Sequence, residues 1–293
     1  MDFDLIITGA TIYDGSGSEG FGADVGVVAD RIRAVGDLSA ATAKRRIDAT
    51  GMVVCPGFVD PHTHCHGDVD DGIMHCDNLL RQGITTVIAG NCGSSGWPVA
   101  EHLAKVEREG FKSNYAMLVG HHTVRSLAMA GADNLWPTHE QMRAMQDLVR
   151  QGIDEGAIGI TVGYAQRHET FEEIVEVTRP AAEAGTIYAS HIRSEGKALL
   201  QAVAEIIEIA HRTGIAVQIS HLKTSGPAHW NKLELVLEMM EHAVELGLDV
   251  AADRYPYIGW HGGSTNVMPL WCYEEASRRG GREHLKDPDI IDY

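Results

Sequence analysis

The 293-residue sequence has no long apolar run, and its 24 basic residues are outnumbered by 41 acidic residues. No apolar stretch approaches the roughly 20 residues of a membrane helix, and the first residues are acidic where a secretory leader is basic. We therefore expect a cytoplasmic protein with no membrane partner. The formal net charge of −17 repels phosphate groups. It argues against nucleic acid as a partner and favours a small-molecule substrate.

Cysteine is also scarce, with five residues in the chain. Their number is odd and they show no CxxC spacing, which argues against a disulfide framework. We expect buried thiols or metal ligands at these positions, which are Cys55, Cys65, Cys76, Cys92 and Cys272.

Two patterns of hydrophobicity divide the chain. Residues 3–50 alternate apolar and polar positions in short pieces, which is typical of small antiparallel strands and predicts a partial β-sandwich domain over residues 1–52. From Val53, short apolar runs alternate with amphipathic helical segments, which predicts βα units and a parallel sheet. Seven strands are predicted: VVCPGFVD (53–60), TTVIAG (85–90), YAMLVG (115–120), IGIT (158–161), IYASH (187–191), VQISH (217–221) and DVAADRY (249–255).

Repeated βα units predict a (β/α)₈ TIM-like barrel, which needs eight strands. The sequence ends at Tyr293, soon after the seventh predicted strand. We therefore expect an incomplete barrel in which the eighth strand is missing. The first and seventh strands would then have unpaired edges, which favour self-association.

The pair His62 and His64 closes the first predicted barrel strand, in the run VVCPGFVDPHTH. Side chains at i and i+2 of a strand point to the same side, so both imidazoles reach one ion. Sixteen histidines also produce close pairs by chance, and most histidines have no ligand role. The position of this pair at a strand end favours half of a metal site.

Other predicted strand ends carry similar side chains: Cys92, the pair His121–His122, His191 and His221. Each alone has an ordinary structural explanation, as a small core residue or a capped strand end. Together they predict a zinc site, since imidazole and thiolate are donors that zinc prefers. Zinc with an open coordination position activates water and polarises a carbonyl, which suits hydrolysis of an amide or related C–N bond. A carboxylate is the usual proton shuttle.

Several motifs, in order, resemble those of the N-acyl-D-amino-acid deacylases of the amidohydrolase superfamily. They are PGFVDPHTH, GITTVIAGNCGSS, GAIGITVGY, YASHIRSEG, ISHLKTSG and DRYPYIGWHGGST, and the similarity runs from about Asp4 to about Trp271. PGFxDxHxH alone marks the superfamily, whereas GNCG, SHxRxEG, ISHxK and DxYPY together mark this branch. The resemblance implies zinc-dependent hydrolysis of N-acyl-D-amino acids to a D-amino acid and a carboxylate.

The resemblance also implies roles for individual residues. Cys92, His191 and His221 would hold one tight zinc ion, and His62 and His64 would belong to an adjacent, weaker metal position. The residues expected around the substrate carboxylate and acyl group are Lys223, Tyr255, Ser264 and Tyr164.

The chain departs from the family pattern at its end. The family's catalytic aspartate comes from the eighth strand and an arginine near it binds the substrate, and neither segment is in this sequence, so no catalytic residue is assigned. Asp253 in DRYPY is interpreted as structural. By the resemblance, residues 53–264 form the barrel and residues 265–293 begin an insertion over its mouth. We expect an amino-terminal fragment that is weakly active or inactive alone.

Three alternatives stay open. Cyclic amidases such as hydantoinases resemble one another in bridging two metals through a carboxylated lysine at the end of the fourth strand. Here that end reads from Gly159 to Tyr164 without lysine. Metal-dependent deaminases of the same superfamily need no such lysine and are the enzymatic alternative. A non-catalytic zinc-binding remnant is the third.

Overall fold

A computed structural model describes residues 2–65, 68–69, 72–73, 77–132, 134–163 and 169–259. The chain divides into two compact units, Met1–Arg254 and Tyr255–Tyr293. Of the second unit the structure describes residues 255–259, in which the rings of Tyr255 and Tyr257 stack with centroids 4.8 Å apart. The domain boundaries predicted at residues 52 and 264 remain predictions.

The amino-terminal part of the first unit is a five-stranded mixed sheet. Its strands are β1 (Asp2–Ile12), β2 (Phe21–Val28), β3 (Arg31–Gly36), β4 (Thr42–Asp48) and β5 (Val53–Val54). Strand β2 pairs antiparallel with both β1 and β3, whereas β4 and β5 pair parallel with β1. The prediction of antiparallel strands is therefore wrong for β4, because alternation indicates a strand but not its direction. Strand β5 was predicted as the start of the first barrel strand (53–60), but it pairs with β1 in this sheet.

In the part of the chain that the structure describes, ten further strands follow in chain order. They are β6 (Phe58–Asp60), β7 (Asp68–Val69), β8 (Gly72–Ile73), β9 (Ile84–Ala89), β10 (Asn114–Met117), β11 (Val119–Gly120), β12 (Gly159–Gly163), β13 (Ile187–His191), β14 (Ala216–Ile219) and β15 (Val250–Ala252). Strands β7 and β8 form a separate antiparallel pair. The parallel order is β6-β9-β10, then β11-β12-β13-β14-β15.

The third predicted barrel strand is broken at Leu118 into β10 and β11. Strand β10 pairs with β9, and β11 pairs with β12, so the two pieces together occupy one strand position. Across the break, the Leu118 N–H donates to the Ala89 carbonyl at 2.9 Å. All seven predicted strand positions are therefore present, and the predicted α/β barrel fold is confirmed. Within the described residues the barrel is open, since β6 and β15 each pair with a single barrel strand.

Helices connect the parallel strands. They are α1 (Asp77–Leu80), α2 (Val99–Glu109), α3 (His121–Ala128), α4 (His139–Asp154), α5 (Phe171–Glu183), α6 (Leu199–Thr213) and α7 (Leu233–Glu245), with a 3₁₀ helix at Pro227–Lys232. In α6, Leu199, Val203, Ile206 and Ala210 recur at helical spacing and are buried. They pack in a continuous core with strand residues such as Tyr188.

Two further predictions concern membranes and thiols. Among the described residues, no helix is long and apolar enough to cross a membrane. Cys65 is buried and disulfide-bonded, so the expectation of a buried thiol or ligand is wrong there. Sequence spacing does not report which cysteines approach each other in space. Cys55 is a free but exposed thiol, so the expectation of a buried thiol or ligand is wrong there as well, whereas Cys92 is free and partly buried.

Candidate metal centre

Four strand ends bring histidine and cysteine side chains to one edge of the parallel array. His62 follows β6, Cys92 follows β9, His191 ends β13, and His221 follows β14. Parallel strands point their carboxyl ends to the same edge, which explains why residues up to 159 positions apart meet. These four side chains therefore lie together at one edge of the array.

The Cys92 sulfur lies at the centre of this group. Its Sγ is 3.5 Å from His62 Nε2 and 4.0 Å from both His191 Nδ1 and His221 Nε2. His191 Nδ1 and His221 Nε2 are 2.9 Å apart. Donor atoms of His62, His64 and Cys92 form a second group in which all lie within 4.8 Å of one another. Cys92 therefore belongs to two overlapping clusters, with His191 and His221 on one side and His62 and His64 on the other.

This donor set fits zinc. Nitrogen and sulfur ligands at about 2.0–2.3 Å from zinc, at tetrahedral angles, are roughly 3.4–3.6 Å apart. The observed separations of 2.9 to 4.0 Å around Cys92, His191 and His221 bracket that range. Two imidazoles and a thiolate leave a fourth position open, as in catalytic zinc sites.

The backbone is strained at two of these residues. Cys92 has a φ of 55° and His221 a φ of 39°, and among the described non-glycine residues only Ala29 shares this left-handed conformation. Such conformations cost of order 1–3 kcal/mol each and occur mainly where the surrounding structure requires them. At His221 the requirement is visible, because its backbone N–H donates to Asp253 Oδ1 at 2.7 Å.

Gly163, at the end of β12, makes a close approach to Cys92. A Cβ atom at this position would collide with the Cys92 carbonyl oxygen. The fourth strand therefore ends without room for a side chain beside Cys92. This packing disfavours the cyclic-amidase alternative, since it requires a lysine at that strand end.

Gly163→Ala is expected to destabilise the chain by about 1–3 kcal/mol, because the new methyl group must displace the Cys92 backbone. Denaturant unfolding of the zinc-free chain measures this loss. Gly22→Ala is the matched control, because its Cβ would meet nothing within 4 Å. Equal stability of the two variants would contradict the close packing of Gly163 on Cys92.

The electrostatics of the centre favour a thiolate. Burial raises the pKa of Cys92, but hydrogen bonds from His191, His221 and His62 outweigh burial and lower that pKa to about 2. Burial lowers the pKa of His62, but Asp253 and Cys92 outweigh burial and raise that pKa to about 9. Cys92 is therefore present as the anion that coordinates a metal ion.

Glu195, which the sequence interpretation gave no role, contacts the candidate ligand His221. Its Oε1 is 2.7 Å from His221 Nδ1, so the ring N–H donates to the carboxylate. The opposite nitrogen, Nε2, which faces Cys92, then keeps its lone pair for a metal. Burial raises the pKa of Glu195, but bonds with His221 and Lys223 outweigh burial and lower it to about 2. The motif SHxRxEG contains this glutamate next to its final glycine and was the signal for it.

Glu195→Gln is expected to lower zinc affinity by roughly 10- to 100-fold, because the His221 ring loses the carboxylate that orients it. Competition with a zinc chelator measures the change. Glu155→Gln serves as control, since the Glu155 carboxylate accepts a backbone hydrogen bond from Ala100 on the surface. A Glu195→Gln chain that binds zinc as tightly as the control would contradict this positioning role.

Asp253 is held by three groups. It accepts from Gln218 Nε2 at 2.9 Å and from the His221 N–H, and its Oδ1 lies 3.4 Å from His62 Nδ1. These contacts position two candidate ligand histidines and occupy the carboxylate. The interpretation of Asp253 as structural therefore agrees with its contacts, although it also positions site residues.

The four predicted substrate-binding residues fall in different parts of the chain. Lys223 lies at the centre, where its Nζ contacts Glu195 and donates to the His221 carbonyl at 3.1 Å. Tyr255 belongs to the second compact unit. Tyr164 and Ser264 lie outside the described residues. Of the four, Lys223 alone is placed beside the ligand cluster in the first unit.

A sequence model described as the amidohydrolase family matches residues 45–269 of the chain. The chain belongs to this family. Over 91% of its length, this amidohydrolase is 36% identical to an N-acyl-D-glutamate deacylase of Alcaligenes xylosoxydans xylosoxydans. The chain spans 59% of the length of that curated relative. The predicted resemblance is confirmed at the level of the family.

Two solved structures resemble this amidohydrolase closely. A D-aminoacylase in complex with copper chloride has a TM-score of 0.81 and 33% identity, and the match covers 98% of this chain and 70% of that one. An N-acyl-D-glutamate deacylase from Bordetella bronchiseptica, complexed with zinc and a phosphonate mimic of the tetrahedral intermediate, has a TM-score of 0.80 and 30% identity. That match covers 96% of this chain and 68% of the deacylase.

Proposed function

We propose that the protein carrying this chain hydrolyses the amide bond of N-acyl-D-amino acids, releasing a D-amino acid and a carboxylate. The observation that carries the proposal is the Cys92, His191 and His221 cluster at the carboxyl edge of an amidohydrolase barrel. The relatives named N-acyl-D-glutamate deacylase and D-aminoacylase support this substrate class.

Cys92, His191 and His221 would hold the tight zinc ion, and His62 and His64 would form the adjacent weaker position. A bound zinc ion supplies Lewis acidity toward a carbonyl and lowers the pKa of water. Zinc is chosen because of the thiolate and imidazole donors, and because a related deacylase was solved with zinc.

The chain's own residues hold and orient this cluster. Glu195 fixes the His221 ring through Nδ1, and Asp253 fixes the His221 backbone and faces His62. The Lys223 ammonium, beside these ligands, would bind the substrate carboxylate as the resemblance implies. Glu195 neutralises this ammonium and would share it with the substrate. We assign the proton shuttle to no described residue, because the carboxylate of Asp253 is already engaged.

Release of free D-amino acid tests the proposal. With zinc bound, the protein is expected to hydrolyse N-acetyl-D-glutamate or N-acetyl-D-methionine and to leave the L-enantiomers nearly untouched. Lys223→Ala is expected to raise KM for the acylated amino acid more than it lowers kcat, since uniform binding is lost. A zinc-loaded protein that deaminates ring amines but hydrolyses no acylated D-amino acid would support the deaminase alternative. The same assay on these 293 residues alone checks the expectation of weak or absent turnover.

A further inference from the structure

A second cluster of potential ligands lies next to the Cys92 loop, which is the turn of Cys92 and Gly93 after β9. Donor atoms of His121, His122 and Glu169 all lie within 4.8 Å of one another. His121 and His122 begin α3 after the third barrel strand, and Glu169 precedes α5 after the fourth. The side chains of His121 and Glu169 are fully buried, and that of His122 is 12% exposed.

Several buried polar atoms of this cluster have no hydrogen-bond partner. Both carboxylate oxygens of Glu169 and Nδ1 of His121 are buried without a hydrogen-bond partner. Burial raises the pKa of Glu169, but the nearby His122 and His121 imidazoles outweigh burial and lower that pKa to about 2, so the buried carboxylate is ionised and calls for a compensating positive charge. His122 Nε2 lies 3.2 Å from Glu169 Oε1, but the two atoms are not aligned for a hydrogen bond. Two ligands of one tetrahedral ion show about this separation.

A neighbouring carboxylate prepares His121 for coordination. Its Nε2 lies 3.0 Å from Glu173 Oε1, so the N–H at this position donates to the carboxylate. Glu173 is held in turn by Arg125 Nε at 2.8 Å. Because the protonated nitrogen faces Glu173, the buried Nδ1 presents its lone pair. Histidine ligands in proteins are usually oriented by a carboxylate in this way.

We infer that His121, His122 and Glu169 form a further zinc site, separate from the Cys92 centre, with two imidazole ligands and one carboxylate ligand. This donor set suits zinc and similar divalent transition metals. The partly exposed ring of His122 provides the route of entry. An ion here would tie α3 to the segment before α5. It would also stabilise the Cys92 loop, because the backbone N–H of His122 donates to the Gly93 carbonyl at 2.8 Å.

Cobalt titration separates this site from the Cys92 centre, since a thiolate–cobalt charge-transfer band reports only the centre that contains sulfur. Glu169→Gln is expected to lower the bound cobalt or zinc by about one equivalent per chain and to leave the thiolate band unchanged. Glu172→Gln is the matched control. It lies three residues away and loses a surface ion pair with Arg212. An unchanged stoichiometry in Glu169→Gln would overturn the site and leave a buried carboxylate–imidazole pair.

Loss of the buried Glu169 charge could also disturb folding, so a second variant and a direct measurement are included. His122→Asn alters the partly exposed ligand and is expected to remove the same equivalent. In crystals of the wild-type chain grown with zinc, anomalous diffraction at the zinc edge is expected to show a peak among His121, His122 and Glu169. A peak at Cys92 with no peak at this cluster would overturn the inference, whatever the variants do.

Discussion

Replacement of Cys92 by alanine is expected to weaken zinc binding about 100-fold or more, whereas His62→Ala leaves tight binding largely intact. The free energy of zinc binding to four-ligand sites in small peptides is about 10–16 kcal/mol, so one ligand contributes roughly 3 kcal/mol. Cys92 contacts both histidine groups, while His62 belongs to the proposed weaker position. Zinc retained after dialysis against a chelator, measured for each variant, gives the two affinities.

Cys55→Ala is the control for the loss of a thiol, because Cys55 is a free, exposed cysteine. It is expected to bind zinc like the unaltered chain. The assignment of the tight ion would be wrong if His62→Ala lost the zinc and Cys92→Ala retained it.

Acidification is expected to destabilise the zinc-free chain more steeply than its Cys92→Ala variant between pH 6 and pH 4. The lowered pKa of about 2 leaves Cys92 ionised when folded, whereas an unfolded thiol titrates near 8.5. The unfolded state then binds one proton more, so the free energy of unfolding decreases by about 1.4 kcal/mol for each unit by which the pH is lowered. Denaturant unfolding in chelator at several pH values measures the slope of each chain.

The pKa of His62 sets the pH below which the stability contributed by Cys92 begins to be lost. Its pKa, raised to about 9, makes the folded chain bind the extra proton between about pH 6.5 and 9, which offsets Cys92. Below that interval His62 is protonated in both states and contributes no slope. The contributions of Cys92 and His62 are therefore expected to cancel above about pH 6.5, and the loss of stability due to Cys92 is expected to appear below it. Parallel acid limbs for the wild type and Cys92→Ala would show that the buried thiol is not ionised.

The ligand cluster was predictable because strand topology converts sequence position into spatial proximity. Cys92, His191 and His221 each follow a short apolar run, and the ends of parallel runs converge at one edge of the array. The same argument placed His62 beside them. It required only the order and direction of the strands, which the alternation of strand and helix patterns indicates.

Contacts between side chains were not predictable in this way. Glu195 lies four residues beyond its strand, and only the fold shows that it reaches His221. Glu169 approaches His122 across 47 positions of sequence, and no periodicity relates the two. The strand break at Leu118 and the parallel pairing of β4 also depend on neighbouring elements, which local patterns do not report.

The central claim is that Cys92, His191 and His221 bind the tight zinc ion. Zinc-edge X-ray absorption of the chain loaded with one equivalent of zinc tests it most directly. The spectrum is expected to contain one sulfur at about 2.3 Å and imidazole nitrogens at about 2.0–2.1 Å, with the sulfur absent in Cys92→Ala. A spectrum of the wild-type chain with only nitrogen and oxygen ligands would contradict the assignment.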